Sequence, residues 1–374
     1  MPQSTARPEV FVEANPLSDR HLTGIGRYTA RIALALAKTG PVRFFSADEE
    51  LILPDRLHWS QDQDLGHWGR RVWRSRRRPL GQPPRGSLAI YGCLRPEERR
   101  FPFEVSILHD FTPQVVPYTH SEKTRRMFQG FYAKTLLASD AALSVSHSTK
   151  ADAGWLCDFP QDRIAVCHSG PSICVERHLD AAPVARRPNV GLVVSTVEPR
   201  KNADFLLEWF RQTSVLPDDT ELWWAGRVGW LTSRRRLRQY ERLEGRRVRL
   251  LGVVSDAQLC RLYRTAGWSI YPSLYEGFGF PVLDALRHGA PVLTSYNSAL
   301  REFQGLPGIT YFDPCDAATL DEAYLAHRGA GSVEIPSREL EDRYDWDRVA
   351  ETLLSLPARF AESDPSAADA SRAA

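Results

Sequence analysis

No stretch of this 374-residue chain stays apolar for the length a membrane-spanning helix needs. The opening residues, MPQSTARPEV, lack the apolar core of a secretory leader, and a cytoplasmic chain is expected. The six cysteines (Cys93, Cys157, Cys167, Cys174, Cys260 and Cys315) contain no Cys-x-x-Cys pair. That spacing excludes a zinc ribbon and a disulfide framework and leaves reduced thiols. Charge of one sign is also missing: 48 Lys and Arg face 46 Asp and Glu, for a net charge of +2. Such a balance gives no overall field to attract nucleic acid, which is not expected as a partner. No short tandem repeat is present. What remains is a globular profile, 43% hydrophobic and 25% charged, in a chain too long for one ordinary core.

The order of elements predicts how the cores divide. EVFVEAN (9–15) reads as a strand, and LTGIGRYTARIALALAK (22–38) as a loop that becomes a helix. FEVSILHD (103–110), AALSVSHS (141–148) and RIAVCHSG (163–170) read as further strands. The Pro-, Ala- and Arg-rich stretch 178–189 breaks the rhythm as a linker. Six more buried strands follow in VGLVVSTV, TELWWAG, RVRLLG, WSIYPS, APVLTS and ITYFDP, most of them separated by helical patterns. Strands alternating with helices imply parallel sheets covered on both faces. The prediction is an α/β protein of two doubly wound, Rossmann-like domains, residues 1–182 and 183–362, with the last helix free to pack back on the first. A small, polar tail at 363–374 is expected to be disordered.

In such sheets ligands sit outside the carboxyl ends of the strands. Between WSIYPS and APVLTS, the sequence places Glu276, Gly277-Phe278-Gly279, Pro281 and Asp284. Pro281 suits a first helical turn and Gly289 a helix end, which predicts a helix near 281–288 with Asp284 in its first turn. Glycines before a helix N-terminus open its free N–H groups to a phosphate. Acids on either side can accept hydrogen bonds from hydroxyls. Phosphate and hydroxyls together describe a sugar nucleotide. The same spacing also suits a structural turn with a helix-capping acid, and from the residues alone both readings stand.

The run PSLYEGFGFPVLDALRHGAPVL resembles the signature of retaining glycosyltransferases of family 4, whose fold is GT-B. It departs at one position, where the usual second Glu is Asp284. The resemblance implies two domains facing across a cleft, with the first as the acceptor side and the second binding the nucleotide sugar. It implies that Glu276 lies by the donor sugar and that Asp284 binds the ribose. STVEPRKN (195–202) is similar to the family segment that brings a lysine to the donor diphosphate, which falls on Lys201, with Arg200 beside it. Such a basic pair, with no acid cluster beside it, suits a departing diphosphate. ELWWAGRVGW (221–230) implies donor contacts at Gly226 and Arg227, and the run from 247 implies Gly252 and Val253 beside the base, with Asp256 as a helix cap. Gly277, Phe278 and Gly279 belong to the same donor loop. In the first domain, TGIGRYT resembles the family's glycine loop, which puts Gly24 and Gly26 toward the cleft, and ILHDF sets His109 near the anomeric carbon. SVSHSTKAD resembles the family segment in which a serine and the following helix line the acceptor side.

Two Asp-x-Asp spellings, Asp62-Gln63-Asp64 and Asp345-Trp346-Asp347, do not follow a strand, so no metal is expected, and no cofactor beyond the nucleotide sugar itself. HWGRRVWRSRRR (67–78) is basic with two tryptophans. It fits either a solvated loop or a peripheral contact with the inner membrane face. The combined resemblance implies a retaining hexosyltransferase. It would act on a glycan or lipid-linked glycan in cell-surface polysaccharide or lipopolysaccharide synthesis, with His109, Lys201 and Glu276 catalytic. Within the family, GIGRYT, EPRKN and LYEGFGFP look most like enzymes that use GDP-mannose. A UDP- or dTDP-sugar donor stays open, as does a catalytically silent subunit that keeps the fold.

Overall fold

A computed structural model describes residues 7–19, 21–60, 64–93, 95–173, 185–232, 234–240, 246–329 and 337–361. Described residues within Met1–His109, Gly130–Gly170 and Tyr344–Ala374 form one compact unit, and those within Asp110–Gln129 and Pro171–Arg343 a second. The segment 110–129, expected in the first domain, thus groups with the second.

The first unit is built on eight strands: β1 (Val10–Glu13), β2 (Val42–Ser46), β3 (Glu49–Ile52), β4 (Arg76–Pro79), β5 (Leu88–Tyr91), β6 (Phe103–Leu108), β7 (Ala141–Ser144) and β8 (Ile164–Val166). Their order in the sheet is β4-β3-β2-β1-β5-β6-β7-β8. All pairs are parallel except β2–β3 and β3–β4. The antiparallel edge departs from the all-parallel expectation. Its cause is local: a two-residue turn at Ala47-Asp48, with Ala47 at φ 50°, folds β3 straight back on β2. Cross-strand pairs then hold the edge, Arg77 on Glu49 and Arg78 on Glu50.

Helix α1 (Gly24–Thr39) buries Tyr28 through Leu36 against this sheet. It starts earlier than expected, because Thr23 caps it through the Gly26 amide, so TGIGRYT is a helix start and not a loop. Gly26 is buried there, and a Cβ on it would lie 2.6 Å from the Pro16 carbonyl oxygen. Helix α2 (Leu65–Trp73) is capped by Asp64, and α3 (His147–Cys157) by Ser146. The helix Trp346–Ala361 packs along α1 in this unit. Trp346 meets Tyr28 edge-on at 5.1 Å and occupies the space that a side chain at Gly170 would need.

The second unit has six parallel strands: β9 (Arg187–Val194), β10 (Glu221–Ala225), β11 (Arg247–Gly252), β12 (Ala266–Tyr271), β13 (Val292–Ser295) and β14 (Ile309–Phe312). Their order is β11-β10-β9-β12-β13-β14. The chain therefore begins in the middle, builds outward through β10 and β11, then crosses to β12. The adjacent strands β9 and β12 form the switch point. All six predicted strands are present. The first begins at Arg187, inside the stretch read as a linker, and the rest of that stretch up to residue 184 lies outside the described residues, as does the tail at 363–374. Trp209, Phe210, Trp224, Trp268 and Tyr324 fill the core, and Gly191 leaves room for the Trp268 ring. Helices α4 (Ala203–Gln212), α5 (Asp256–Thr265) and α6 (Phe280–Arg287) flank the sheet. Ser255, not Asp256, caps α5, in a capping box with Gln258. Among the described residues no helix is long and apolar enough to cross a membrane.

Candidate functional site

The switch point of the second unit gathers the charged residues predicted from two distant stretches. β9 runs into Ser195–Asn202, and β12 into the loop that carries Glu276; β9 and β12 are hydrogen-bonded neighbours. A single 3₁₀ turn, Pro199–Lys201, lifts Arg200 and Lys201 to that edge. Asn202, left-handed at φ 56°, ends the turn and starts α4, its side chain donating to the Pro314 carbonyl. Glu276 lies five residues beyond the end of β12, in the loop that leads from that strand to α6.

Lys201 Nζ donates to Glu276 Oε1 and, at 2.7 Å, to the Tyr271 hydroxyl. Tyr271 in turn donates to Glu276 Oε1 at 2.9 Å. Arg200 Nη1 donates to Glu276 Oε2 at 2.9 Å, and its Nη2 pairs with Glu198 at 3.1 Å. Glu276 also receives a backbone anchor, its amide donating to Ser298 Oγ. Lys201, Glu276 and Glu198 are all buried. The expected isolation of the basic pair from acids is therefore not met: two carboxylates hold it. Glu198 sits within EPRKN itself, whereas Glu276 comes from 75 residues away.

Burial and pairing compete in this cluster. For Glu276, burial raises the pKa, but the Lys201 and Arg200 charges outweigh it and hold the carboxylate at about 2. For Lys201, burial and then the Arg200 charge push the ammonium below its ordinary value, against the pull of Glu276. Arg200 is raised: burial opposes its charge, and Glu276, Asp110 and Glu198 restore it. Glu198 is raised by burial despite its basic neighbours. The result is a rigid, charge-balanced cluster at 276, 271, 200, 201 and 198. Three polar atoms at this edge, Arg200 Nε, Ser195 Oγ and Ser295 Oγ, are buried without a hydrogen-bond partner. Orphaned donors where strands end are what an incoming polar ligand satisfies.

The loop after Glu276 is shaped by its glycines. Gly279 has φ 111° and caps α6, and a Cβ on it would come 2.7 Å from Leu300 Cδ2. Phe278 is buried against Phe280 and Phe303, so its ring serves the core while its backbone lines the loop. Asp284 is the fifth residue of α6 and lies in its second turn, not the first as predicted. It is no cap. Its buried carboxylate accepts from the Ser172 amide at 2.9 Å and from the Ser172 hydroxyl. Nothing in the sequence around Ser172 signals this partner.

Gly226 has φ 154°, and its hydrogen is all that fits against the Ser195 carbonyl. This close approach ties the Gly226-Arg227 turn to the Ser195 loop, where Val197 also donates to the Arg227 carbonyl. Arg227 and Val253 are exposed beyond the strand ends. A contact missed in the sequence joins the same turn: Trp230 Nε1 donates to the Thr119 carbonyl at 2.8 Å, and its ring lies 5.8 Å from that of His120. Burial and the charge of Arg200 depress the His120 pKa.

In the first unit, His109 follows β6. Its Nε2 is 2.7 Å from the Gly92 carbonyl, and its ring meets Tyr28 edge-on at 5.0 Å. Asp110 accepts from the amide and hydroxyl of Thr112. Asp345 caps the amide of Asp347, which pairs with Lys38 at 2.8 Å, so both acids of that Asp-x-Asp have structural partners. Asp62 and Gln63 lie outside the described residues. The basic run 67–78 is helix and edge strand, not a loop. Trp68 is core, and Arg77 and Arg78 are paired with Glu49 and Glu50, which removes one of the two tryptophans and part of the charge that a membrane contact would use.

Residues 187–326, within the second unit, match the family model described as Glycosyl transferases group 1. An O-antigen chain mannosyltransferase B of Escherichia coli is 26% identical over 350 residues, 82% of this chain and 86% of that protein. A serotype-specific mannosyltransferase, WbdA, of the same species is 28% identical over 289 residues, 69% of this chain and 34% of that longer protein. Among solved structures, sucrose-phosphate synthase from Thermosynechococcus elongatus superposes with a TM-score of 0.64 at 17% identity, covering 96% of this chain and all of that one. WaaG, a glycosyltransferase involved in lipopolysaccharide biosynthesis, superposes with a TM-score of 0.54 at 16% identity, covering 95% of this chain and 98% of that one.

Proposed function

Because this chain is a GT-B glycosyltransferase with a group 1 glycosyl transferase domain, similar to O-antigen mannosyltransferases, we propose that it transfers mannose from GDP-mannose to a glycan hydroxyl, with retention of anomeric configuration, in O-antigen or lipopolysaccharide-type synthesis. The observation that carries the reading is the buried Arg200–Lys201–Glu276 cluster at the switch point of the second unit.

In this reading the bond from the anomeric carbon to the diphosphate breaks, and negative charge grows on the departing nucleotide. Lys201 and Arg200 oppose that charge, and because Glu276 and Tyr271 already hold the ammonium in place, little reorganisation is needed at the moment of reaction. The amides before α6 add the positive end of a helix. Glu276 is assigned to the sugar hydroxyls. Gly226, Arg227, Val253, Gly277, Phe278 and Gly279 line the donor path. Asp284 takes the ribose, and Ser172 sets the orientation of its carboxylate. The acceptor hydroxyl adds to the anomeric carbon from the face that the diphosphate leaves, and its proton passes to the departing diphosphate oxygen.

Thermal denaturation with GDP, UDP and dTDP tests the donor. At one hundred times its dissociation constant the matching nucleotide stabilises by about 2.7 kcal/mol. Stabilisation by UDP alone replaces GDP in the reading, and stabilisation by none removes the donor assignment. Incubation with GDP-mannose and a mannose-terminated acceptor, followed by proton NMR of the new linkage, tests retention. Turnover is expected to survive EDTA, and loss of activity restored by manganese or magnesium would place a metal on the diphosphate.

A further inference from the structure

His120 lies in the segment 110–129, which groups with the second unit although it precedes that unit's sheet in the chain. It follows the 3₁₀ turn Pro117–Thr119 and is half-buried. One tryptophan holds both Thr119 and His120. Trp230 Nε1 donates to the Thr119 carbonyl at 2.8 Å, and the Trp230 ring lies 5.8 Å from the His120 ring, tilted by 32°. Trp230 closes the turn that starts at Gly226, and that turn is pinned to the stretch before Arg200. The Gly229 amide donates to the Val197 carbonyl at 2.9 Å, and the Val197 amide donates to the Arg227 carbonyl at 2.9 Å. A continuous set of contacts therefore carries His120 to the edge where Arg200, Lys201, Glu198 and Glu276 meet.

His120 Nε2 is buried and has no hydrogen-bond partner among the described residues. Arg200 is in the same condition at one atom: its Nη groups go to Glu276 and Glu198, and its Nε is left buried and unpartnered. Unpaired buried nitrogens of this kind call for a ligand with acceptor atoms. The charge balance says which kind. Arg200 and Lys201 bring two positive charges, and their partners Glu276 and Glu198 bring two carboxylates, so the cluster has no surplus for a dianion. A proton on His120 supplies one more positive charge. In the free protein that proton is disfavoured. Burial opposes it most strongly and the Arg200 charge next, while Asp110 favours it; the Trp230 face carries no charge. A bound diphosphate reverses the balance, because its negative oxygens offset Arg200 and give Nε2 an acceptor. A neutral hydroxyl satisfies a nitrogen without offsetting Arg200, so it does not recruit the proton.

We propose that His120 is a third ligand of the donor diphosphate, beside Arg200 and Lys201, and that it takes up a proton as the diphosphate binds. The inference rests on the reading of that cluster as the diphosphate site and adds to it a residue and a proton. The proton comes from solvent and adds to the imidazole, and the imidazolium donates from Nε2 to a diphosphate oxygen. It returns to solvent when the nucleotide leaves, so it is not the proton of the acceptor hydroxyl.

Proton–carbon NMR of the histidine ring signals of the full chain, followed from pH 5 to 8, tests the proposal with GDP and with inorganic pyrophosphate as probes. His120→Phe keeps a ring against Trp230 without a nitrogen, and the signal it removes identifies His120. Either probe is expected to raise the His120 midpoint by about one pH unit or more, which by linkage is about tenfold in affinity. Pyrophosphate is therefore expected to bind His120→Phe about tenfold more weakly than wild type at pH 6, with the gap narrowing toward pH 8. The ratio of the two proteins cancels the probe's own titration. His120→Gln keeps a neutral donor and is expected to bind close to wild type at pH 8 but like His120→Phe at pH 6; should His120→Phe fail to fold, it carries both the assignment and the comparison. A midpoint that stays in place while GDP or pyrophosphate stabilises the protein overturns the proposal and leaves the donor reading standing. A midpoint raised by pyrophosphate in a protein that no nucleoside diphosphate stabilises keeps His120 as a phosphate ligand and removes the donor reading. A gap between wild type and His120→Phe that is equal at pH 6 and pH 8 means that the ring only packs, and overturns the proposal, as does no response to either probe.

Discussion

Glu276 and Glu13 show how one residue type takes opposite states in one chain. Glu276 is held at about 2 because, although burial raises it, two cations outweigh that effect. Its contribution to stability is therefore present above the ordinary carboxylate range and is lost as pH falls toward 2. Glu13, at the end of β1, is raised by burial to about 7, so its contribution is present below the ordinary range and is lost as pH rises through 7. The rise corresponds to about 3 kcal/mol. Glu13→Gln is expected to flatten the fall in melting temperature between pH 5 and about 8, and an unchanged pH profile would place the Glu13 charge in water. Lys201→Ala is expected to lower kcat by roughly a hundredfold, the scale of one preorganised donor, in a protein that still melts cooperatively. An unaltered kcat would take Lys201 out of the site. Asp284→Ala is expected to raise donor KM more than it lowers kcat, at a scale of about 1.5–3 kcal/mol for hydrogen bonds to a charged group. Ser172→Ala is expected to follow it with a smaller KM rise, since Ser172 positions the Asp284 carboxylate. Asp284→Glu restores the family's commoner residue but lengthens a buried side chain against Ser172, so its activity is expected between wild type and Asp284→Ala.

At the scale of the element, loops after strands carry the site, and glycines set their paths. Gly226 and Gly279 both have positive φ and no space for a Cβ. Gly226→Ala must push the Ser195 loop away, and Gly279→Ala must strain the start of α6 against Leu300. Each is expected to cost about 1–3 kcal/mol. A melting-temperature loss of several degrees with a parallel loss of GDP stabilisation checks this. A loss of stability with nucleotide binding intact would show that the loops tolerate the shift. Gly289, at φ 67°, ends α6 as its position in the sequence predicts.

At the scale of the molecule, the first unit is discontinuous in sequence. The helix Trp346–Ala361 belongs to it although the second unit comes between. Trp346→Ala opens space against Tyr28 and Gly170 and is expected to cost about 3–5 kcal/mol. Lys38→Ala breaks only the half-exposed pair with Asp347 and is expected to cost about 1 kcal/mol or less. Urea denaturation of the two variants, compared at equal m-values, reads the contrast, and equal losses would mean that the helix is held by its charges and not by its ring.

Short-range patterns by themselves determined the six strands of the second unit and the helix after Gly279, because apolar period, Gly and Pro act within a few residues. They could not determine what each charge touches. Lys201 meets Glu276 across 75 residues, and Ser172 meets Asp284 across 112. They also missed the antiparallel edge, whose hairpin turns on Ala47 without a glycine. The basic run 67–78 reads as one charged surface in sequence. In the fold the Trp68 side faces inward, and β3 supplies the glutamates that pair Arg77 and Arg78. Partners of that kind are chosen when strands far apart in the chain become neighbours in a sheet, so only the tertiary structure decided them.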